Sequence, residues 1–420
     1  MLSIDLFAGC GGLSKGLHDA GFKSIWANEF DKNAASTFRN NFKNSKISED
    51  DIRNIDANSI RSGLGLATKE LDIMIGGFPC QGFSTYGQRS TNDERNLLYL
   101  DFIRFVEEFR PKRFLIENVV GILSMHDGAI VRDICNQLEL LGYQCEVKVL
   151  QAAEYGVPQL RRRVFISGFV SNFGFKWPTA TNFDPTQENK SSNQNQKYIT
   201  VGQAISDLPI VALKPTDAHV VLDYPTTGRI SKYQKSMRKT SKKLLDHSAK
   251  QLMSFRKLRI ILIKQGAYGS KVSELDLNQS VSKSIRDEII EDCGLRRPLH
   301  LCRKQDQEKE FALRNLFKKP NLTYSDLVNF IGCGGFANKY RRLDANKPSH
   351  TLVAHMARDC SDFIHPTLNR FISVREAARL QSFEDSFKFE GSQSSQLKQI
   401  GNAVPPLLGR AIGEAMKAYN

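Results

Sequence analysis

The sequence predicts an α/β protein, an open sheet of the nucleotide-binding kind, together with a separate, smaller basic domain. Three observations carry this. An apolar run, residues 2–7, leads into the glycine turn Ala8-Gly9-Cys10-Gly11-Gly12 and then a short helical pattern, the order strand, turn, helix that opens such folds. A second apolar run, residues 71–75, enters Gly76-Gly77, which reads as a buried strand ending in a sharp turn. At about Ser171 this texture stops, and a polar, basic stretch lasts to about Tyr340. The chain thus divides into a first part over 1–170, a separate, smaller basic domain over 171–340, and a last part over 341–420 where sharp signals return.

In chain order, Leu13, Gly16, Leu17 and Ala20 form one face of the first helix, and Gly21 stops it. Gly9 and Gly11 give G-x-G, but Ser14 stands where a dinucleotide turn has its third glycine, so the turn alone names no cofactor. The next strand, residues 24–28, ends in Glu29, an acid placed to meet ribose hydroxyls, and Phe30 can lie against a base. Asp51-Ile52 ends a third short element, and an Asp there can accept from an adenine amino group. Together these point to an adenosine-type cofactor.

Cys80 lies just past the Gly76-Gly77 turn and is preceded by Pro79, whose ring fixes its own backbone angle. A thiol beyond the carboxyl end of a sheet strand is a candidate nucleophile. Residues 85–95 are polar, broken by glycine and without a core-facing period, the pattern of a surface loop, whether a lid that closes over substrate or a plain connection. A helix over 97–109, ended by Pro111, and a strand over 113–116 deliver Glu117-Asn118-Val119 to the same rim as Cys80. A helix over 129–141 capped by Gly142 follows, then paired strands at 144–150 and 164–168. Between those strands, alternation sends Arg161 and Arg163 to one face and Arg162 to the other. Ser373-Val374-Arg375-Glu376 is a capping box that starts a helix. Gly401-Asn402-Ala403-Val404-Pro405-Pro406 is expected to open a last helix, with Leu408, Ala411, Ile412 and Ala415 on its apolar face.

The net charge is +14, and its placement narrows the partner. Residues 171–340 hold 28 Lys/Arg against 16 Asp/Glu, and residues 229–259 hold eleven basic residues against one acid, Asp246. So one-sided a patch fits a polyphosphate backbone. Eight cysteines without a C-x-x-C pair, no leader pattern and no long apolar run give the expectation of a cytoplasmic protein with free thiols and no membrane contact. His350, His355, Cys360 and His365 recur every five residues, a period of neither helix nor strand, so no metal site is expected.

These motifs resemble those of the DNA (cytosine-5) methyltransferases of the bacterial restriction–modification type. Six stretches match in the family's order: residues 5–12, Gly77-Phe78-Pro79-Cys80-Gln81, Glu117-Asn118-Val119, Gln159-Leu160-Arg161-Arg162-Arg163, residues 375–381, and Gly401-Asn402-Ala403-Val404-Pro405. The resemblance implies a Rossmann-like methyltransferase domain with S-adenosyl-L-methionine as cofactor. It also implies double-stranded DNA as partner, a monomer, and a target-recognition domain over 171–340 inserted between a catalytic and cofactor-binding part over 1–170 and a return to it over 341–420, whose helices complete the cofactor site. A restriction endonuclease acting on the same site is a further possible partner. By resemblance Cys80 is the nucleophile, Glu117 holds the N3 and amino edge of the base, and Arg163 binds its O2. Gln81, Asn118 and Arg161 complete the catalytic motifs, with Asn118 shaping its turn. The cofactor set carried over is Phe7, Gly9, Cys10, Gly11, Gly12, Glu29, Phe30, Asp51, Ile52, Pro79, Leu98, Asn402 and Ala403. Ala403 replaces the serine of some relatives and brings no hydroxyl.

Overall fold

The computed structural model describes residues 1–79, 97–170, 173–186, 196–210, 221–226, 228–239, 241–249, 252, 254–263, 279–293, 295, 307–331 and 340–418. The first part runs β1 (Leu2–Leu6), α1 (Gly12–Asp19), β2 (Lys23–Asn28), α2 (Lys32–Asn41), β3 (Lys46–Ser48), α3 (Ala57–Gly63), β4 (Ile73–Gly76), α4 (Leu98–Phe109), β5 (Arg113–Asn118), α5 (Ala129–Leu140), β6 (Tyr143–Gln151), β7 (Gln159–Leu160) and β8 (Arg162–Val170). Seven of these strands form one sheet in the order β3-β2-β1-β4-β5-β8-β6. The five from β3 to β5 are parallel, and β8 and β6 run antiparallel at the far edge.

Alternation along the central strands shows why the sheet is covered on both faces. In β4, Met74 joins one apolar cluster while Ile73 and Ile75 join another; in β5, Phe114 and Ile116 take the first side and Leu115 the second. Helices α4 and α5 cover the first face with Phe102, Phe105, Val106, Ile134 and Leu138. The second is covered by α1 and by α14 (Pro406–Lys417), through Leu13, Leu17, Leu408, Ile412 and Met416. Each of these large side chains, once buried, contributes roughly 1.5–3 kcal/mol. Continuous apolar runs rather than alternating ones are what a doubly covered parallel sheet requires.

The middle segment holds β9 (Asn182–Phe183), β10 (Gln196–Lys197), α6 (Val201–Ile205), α7 (Lys232–Arg238), α8 (Ser254–Ile261), α9 (Lys283–Asp292), α10 (Gln307–Phe317) and α11 (Tyr324–Ile331). The return contains β11 (Ser349–His350), α12 (Val374–Leu380), α13 (Gln393–Asn402) and α14. One apolar cluster runs through both, from Val201, Ala204, Tyr233 and Met237 to Ala377, Leu380, Phe383 and Ile400. The middle segment therefore shares a core with the return.

The C-terminal expectation needs correction in two places. Gly401-Asn402 does not open the last helix; it ends α13, and the chain extends through Ala403 before Pro405 and Pro406 start α14. The buried residues of α14 include Gly409 and Gly413, whereas Ala411 and Ala415 are half-buried. The reason is the closeness of α1. A Cβ on Gly16 would lie 2.5 Å from the Arg410 nitrogen and the Pro406 carbonyl oxygen, and one on Gly413 would lie 2.7 Å from the Ala20 Cβ. Glycine on both helices lets their backbones meet.

Candidate active site

Everything of chemical interest lies beyond the carboxyl ends of β1, β2, β4 and β5, where open α/β sheets bind ligands. β4 and β5 are parallel neighbours, with Gly76 paired to Ile116. The chain therefore leaves β4 alongside Glu117. A Cβ on Gly77 would sit 3.1 Å from Glu117 Oε2, so glycine there makes room for the carboxylate. The Asn118 amide donates to the Phe78 carbonyl at 3.2 Å, while its own Oδ1 accepts from Val119 N at 2.8 Å. It thus fixes the turn two residues before Cys80. Cys80 and Gln81, like the loop over 82–95, lie outside the described residues.

Across from this turn, Arg163 on β8 places Nε 2.9 Å from Glu117 Oε1, with both side chains almost buried. Antiparallel pairing of Asn118 with Val164 brings the two together. Burial lowers the affinity of the Arg163 guanidinium for its proton, and the Glu117 carboxylate opposes that shift. Arg161, expected on the same face, is turned inward and fully buried. Its Nη1 donates to the Leu352 carbonyl at 2.6 Å and its Nη2 to the Gly401 carbonyl at 3.0 Å. These bonds make it a tie between segments rather than a group that meets a substrate. Arg162 is exposed, as alternation requires.

On the other side lies the glycine turn. Phe7, Gly9 and Gly11 all have positive φ, of 60°, 56° and 89°. For Phe7 this is a strained conformation, of the kind that the surroundings must hold in place. Its ring meets Phe78 edge-on at 6.4 Å. Gly9 N donates to Glu29 Oε2 at 2.8 Å and Asp31 N to Glu29 Oε1 at 2.7 Å, so the turn and the end of β2 are one unit. Burial raises the Glu29 carboxyl above its usual range despite these bonds. Above Gly9 a Cβ would meet nothing within 4 Å: the cradle is open there. Gly12 instead packs on Ala403 and the Val404 carbonyl.

Phe30 is 70 % exposed beside this opening. Ile52 is buried, and Leu98 packs in the same cluster as Phe7, Phe78 and Ile52. The Asp51 carboxylate is held by Arg53, which keeps it below the usual carboxylate range. Pro79 is half-buried and Asn402 exposed. Cys10 points away from the opening, with Sγ 3.8 Å from the Gln399 carbonyl and burial pushing its thiol up to about 12; only its backbone faces the turn. Beneath, Ser14 donates to Asp5 at 2.6 Å, and burial raises Asp5 to about 7. Residues the sequence reading gave no role are Gln159 and Gln381, both fully buried and bonded to each other. The only sequence signal for them is an amide inside otherwise apolar or charged motifs.

Fold and rim together define a class: an open α/β sheet with a nucleotide-type cradle beside an acid–guanidinium pair. The family model for C-5 cytosine-specific DNA methylase matches residues 1–418, and the chain belongs to that family. Type II methyltransferase M.AgeI of Thalassovita gelatinovora is 46% identical over 427 residues, which cover 99% of each chain. Type II methyltransferase M.DdeI of Desulfomicrobium norvegicum is 35% identical, over 99% of this chain and 88% of its own. Among solved structures, a prophage-encoded E. coli chain described as a DNA modification methyltransferase has a TM-score of 0.69 at 23% identity, covering 100% of this chain and 99% of that one. At that identity it speaks for the fold alone. Among the described residues, no helix is long and apolar enough to cross a membrane, and no cluster of His, Cys, Asp and Glu is arranged to hold a metal.

Proposed function

We propose that this chain is the modification enzyme of a type II restriction–modification system. In this reading it methylates C5 of a cytosine turned out of duplex DNA, through a covalent bond from Cys80 Sγ to C6. The observation that carries the reading is the Glu117–Arg163 pair, 2.9 Å apart at the exit of β4, where the chain runs on to Cys80. A cytosine ring presents O2 to a guanidinium and the N3 and amino edge to a carboxyl group. Glu117 and Arg163 match that edge pattern in order. Addition of the Cys80 thiolate at C6 pushes charge onto N3 and O2, where a proton shared with Glu117 and the Arg163 cation stabilise it. C5 is then the nucleophilic carbon of an enamine. Once C5 carries the methyl, a water molecule takes the C5 proton, the thiolate leaves C6 and N3 returns its proton to Glu117, so the aromatic ring is restored.

The cradle fits the adenosine part of S-adenosyl-L-methionine, since Gly9 is open above and Glu29 presents two oxygens that each keep a lone pair. When bound, that cofactor supplies a methyl group made electrophilic by a sulfonium. Glu29 would hold the ribose, Asp51 and Phe30 the adenine, and Asn402 the far wall. A base inside a duplex cannot reach Cys80, so the target must leave the stack at a cost of a few kcal/mol. Docking of the basic middle segment on the duplex offsets that cost.

The decisive experiment offers the enzyme and its cofactor duplex DNA containing 5-fluorocytosine. The reaction should stall after methyl transfer and leave a denaturation-resistant protein–DNA adduct. Cys80→Ser should give none. An adduct that persists in Cys80→Ser, or bisulfite sequencing that finds no new C5 methylation in expressing cells, overturns the reading.

A further inference from the structure

The turn that ends α12, residues 380–383, touches β7, the stretch around Ala403, the start of α14 and the glycine turn. The Leu380 carbonyl accepts from Gln159 Nε2 at 3.1 Å. Gln381 accepts from the same Gln159 nitrogen at 2.6 Å, and its own Nε2 donates to the Ala403 carbonyl. Ser382 Oγ accepts from Leu407 N at 3.1 Å, at the first turn of α14. The Phe383 ring lies 3.3 Å from where a Cβ on Gly12 would stand. Gln159, Gln381 and Arg161 are all fully buried.

The two carbonyls flanking Asn402 are therefore both held, Gly401 by Arg161 and Ala403 by Gln381. Gln159 and Arg161 likewise hold both backbone groups of Leu352, its N–H at 2.9 Å and its carbonyl at 2.6 Å. Leu352 precedes Val353 and Ala354, whose backbone lies against Gly401 with no space for a Cβ. The short extended stretch around Ala403 cannot satisfy its carbonyl within a helix, because α13 has ended and Pro405 brings no N–H. A side-chain amide is the group able to accept from Gln159 and donate to Ala403 at once.

We propose that Gln381 is a positioning residue for cofactor binding: by holding the Ala403 carbonyl it sets where Asn402 stands relative to the glycine turn. Gln159 orients Gln381 and carries the same constraint to the Arg161–Arg163 arm. This rests on the cofactor reading given above for Asn402 and the glycine turn.

The test compares wild type, Gln381→Leu and Gln381→Glu by calorimetric titration with S-adenosyl-L-methionine, alongside the affinity for duplex DNA and the melting temperature. In Gln381→Leu, cofactor affinity should fall about tenfold, the worth of one buried hydrogen bond left unmade, while DNA affinity stays within about twofold. In Gln381→Glu a carboxylate faces the Ala403 carbonyl and binding should weaken at pH 8. Lowering the pH to 6 should protonate that buried acid and give it back a donor. The deficit relative to wild type should then shrink. A melting temperature that falls while the cofactor affinities of both variants match wild type overturns the inference. So does a Gln381→Glu deficit that is the same at both pH values, which decides the matter even if Gln381→Leu does not fold. Failure of wild type to bind S-adenosyl-L-methionine sinks the cofactor reading itself, a different outcome from equal binding by all three proteins.

Discussion

At the residue scale, the site separates groups that meet the base from groups that hold them. In the function proposed above, Glu117 and Arg163 are of the first kind. In the proposed reading Arg163 aims a cation, and Glu117 a shared proton, at positions where negative charge develops, so their loss should appear in turnover and not in cofactor binding. Glu117→Gln and Arg163→Lys are expected to lower single-turnover methyl transfer by about 10²–10³ with cofactor affinity within about twofold of wild type. Lysine keeps the charge but not the planar donor set that Arg163 applies to Glu117. Equal rates for either variant and wild type would remove that residue from the reaction. Asp5 is of neither kind: it lies beneath the glycine turn and accepts from Ser14, and its prediction concerns stability. Burial raises its carboxyl to about 7 from 3.8. A carboxyl raised on folding stabilises fully below its unfolded value and loses that contribution as pH climbs to the folded one. Melting temperature should therefore decline, through this group, between pH 4 and 7. Asp5→Asn should flatten that part of the profile, and an unchanged slope would place the titration elsewhere.

At the scale of elements, the contact between α1 and α14 depends on glycine rather than on apolar bulk. Alanine is worth up to ~1 kcal/mol more than glycine in a helix, yet at Gly16 the added methyl would meet three backbone atoms at 2.5–2.6 Å. Overpacking wins, and Gly16→Ala should destabilise by about 1–3 kcal/mol. Gly63→Ala, at the end of α3 with nothing within 4 Å, should be neutral or slightly stabilising. Denaturant unfolding of the two variants checks the pair, and a loss at Gly63 equal to that at Gly16 would refute the packing argument. The same contact shows what was legible beforehand. Strands β1, β2, β4 and β5 were readable because burial on both faces demands long apolar runs. The capping box at Ser373 was readable because its two side chains are local. Gly409 and Gly413 were not, since a glycine that packs is indistinguishable in sequence from one that bends. Two further capping boxes, at Thr200 with Gln203 and at Ser231 with Gln234, went unread inside a segment without a clear period.

For the whole molecule, the Glu29, Glu117 and Arg163 positions were legible because strand ends define a rim, whereas the inward turn of Arg161 depends on partners almost two hundred residues away. The basic segment was legible only as charge, and the structure gives that charge a direction. Helix α7 buries Tyr233 and Met237 against the return and leaves Lys232 and Lys235 exposed, with Arg229 and Lys242 exposed nearby. Neighbouring cations are already engaged, Arg238 by Asp207, Lys239 by Glu384 and Lys243 by Asp223. If the outward set meets DNA phosphates, each contact releases counterions, and log affinity falls with log salt by about 0.9 per contact. Replacing Lys232, Lys235 and Lys242 together by alanine should therefore reduce the slope by up to ~2.7. Weakening should be similar for any duplex sequence, because phosphate contacts carry no base information. Cofactor affinity, which the proposed reading assigns to the glycine turn and the Asn402 stretch, should not change. Filter-binding titrations across a range of salt concentrations measure the slope. A triple variant with the wild-type slope would show that this face of α7 points away from the DNA and that the middle segment binds through another surface.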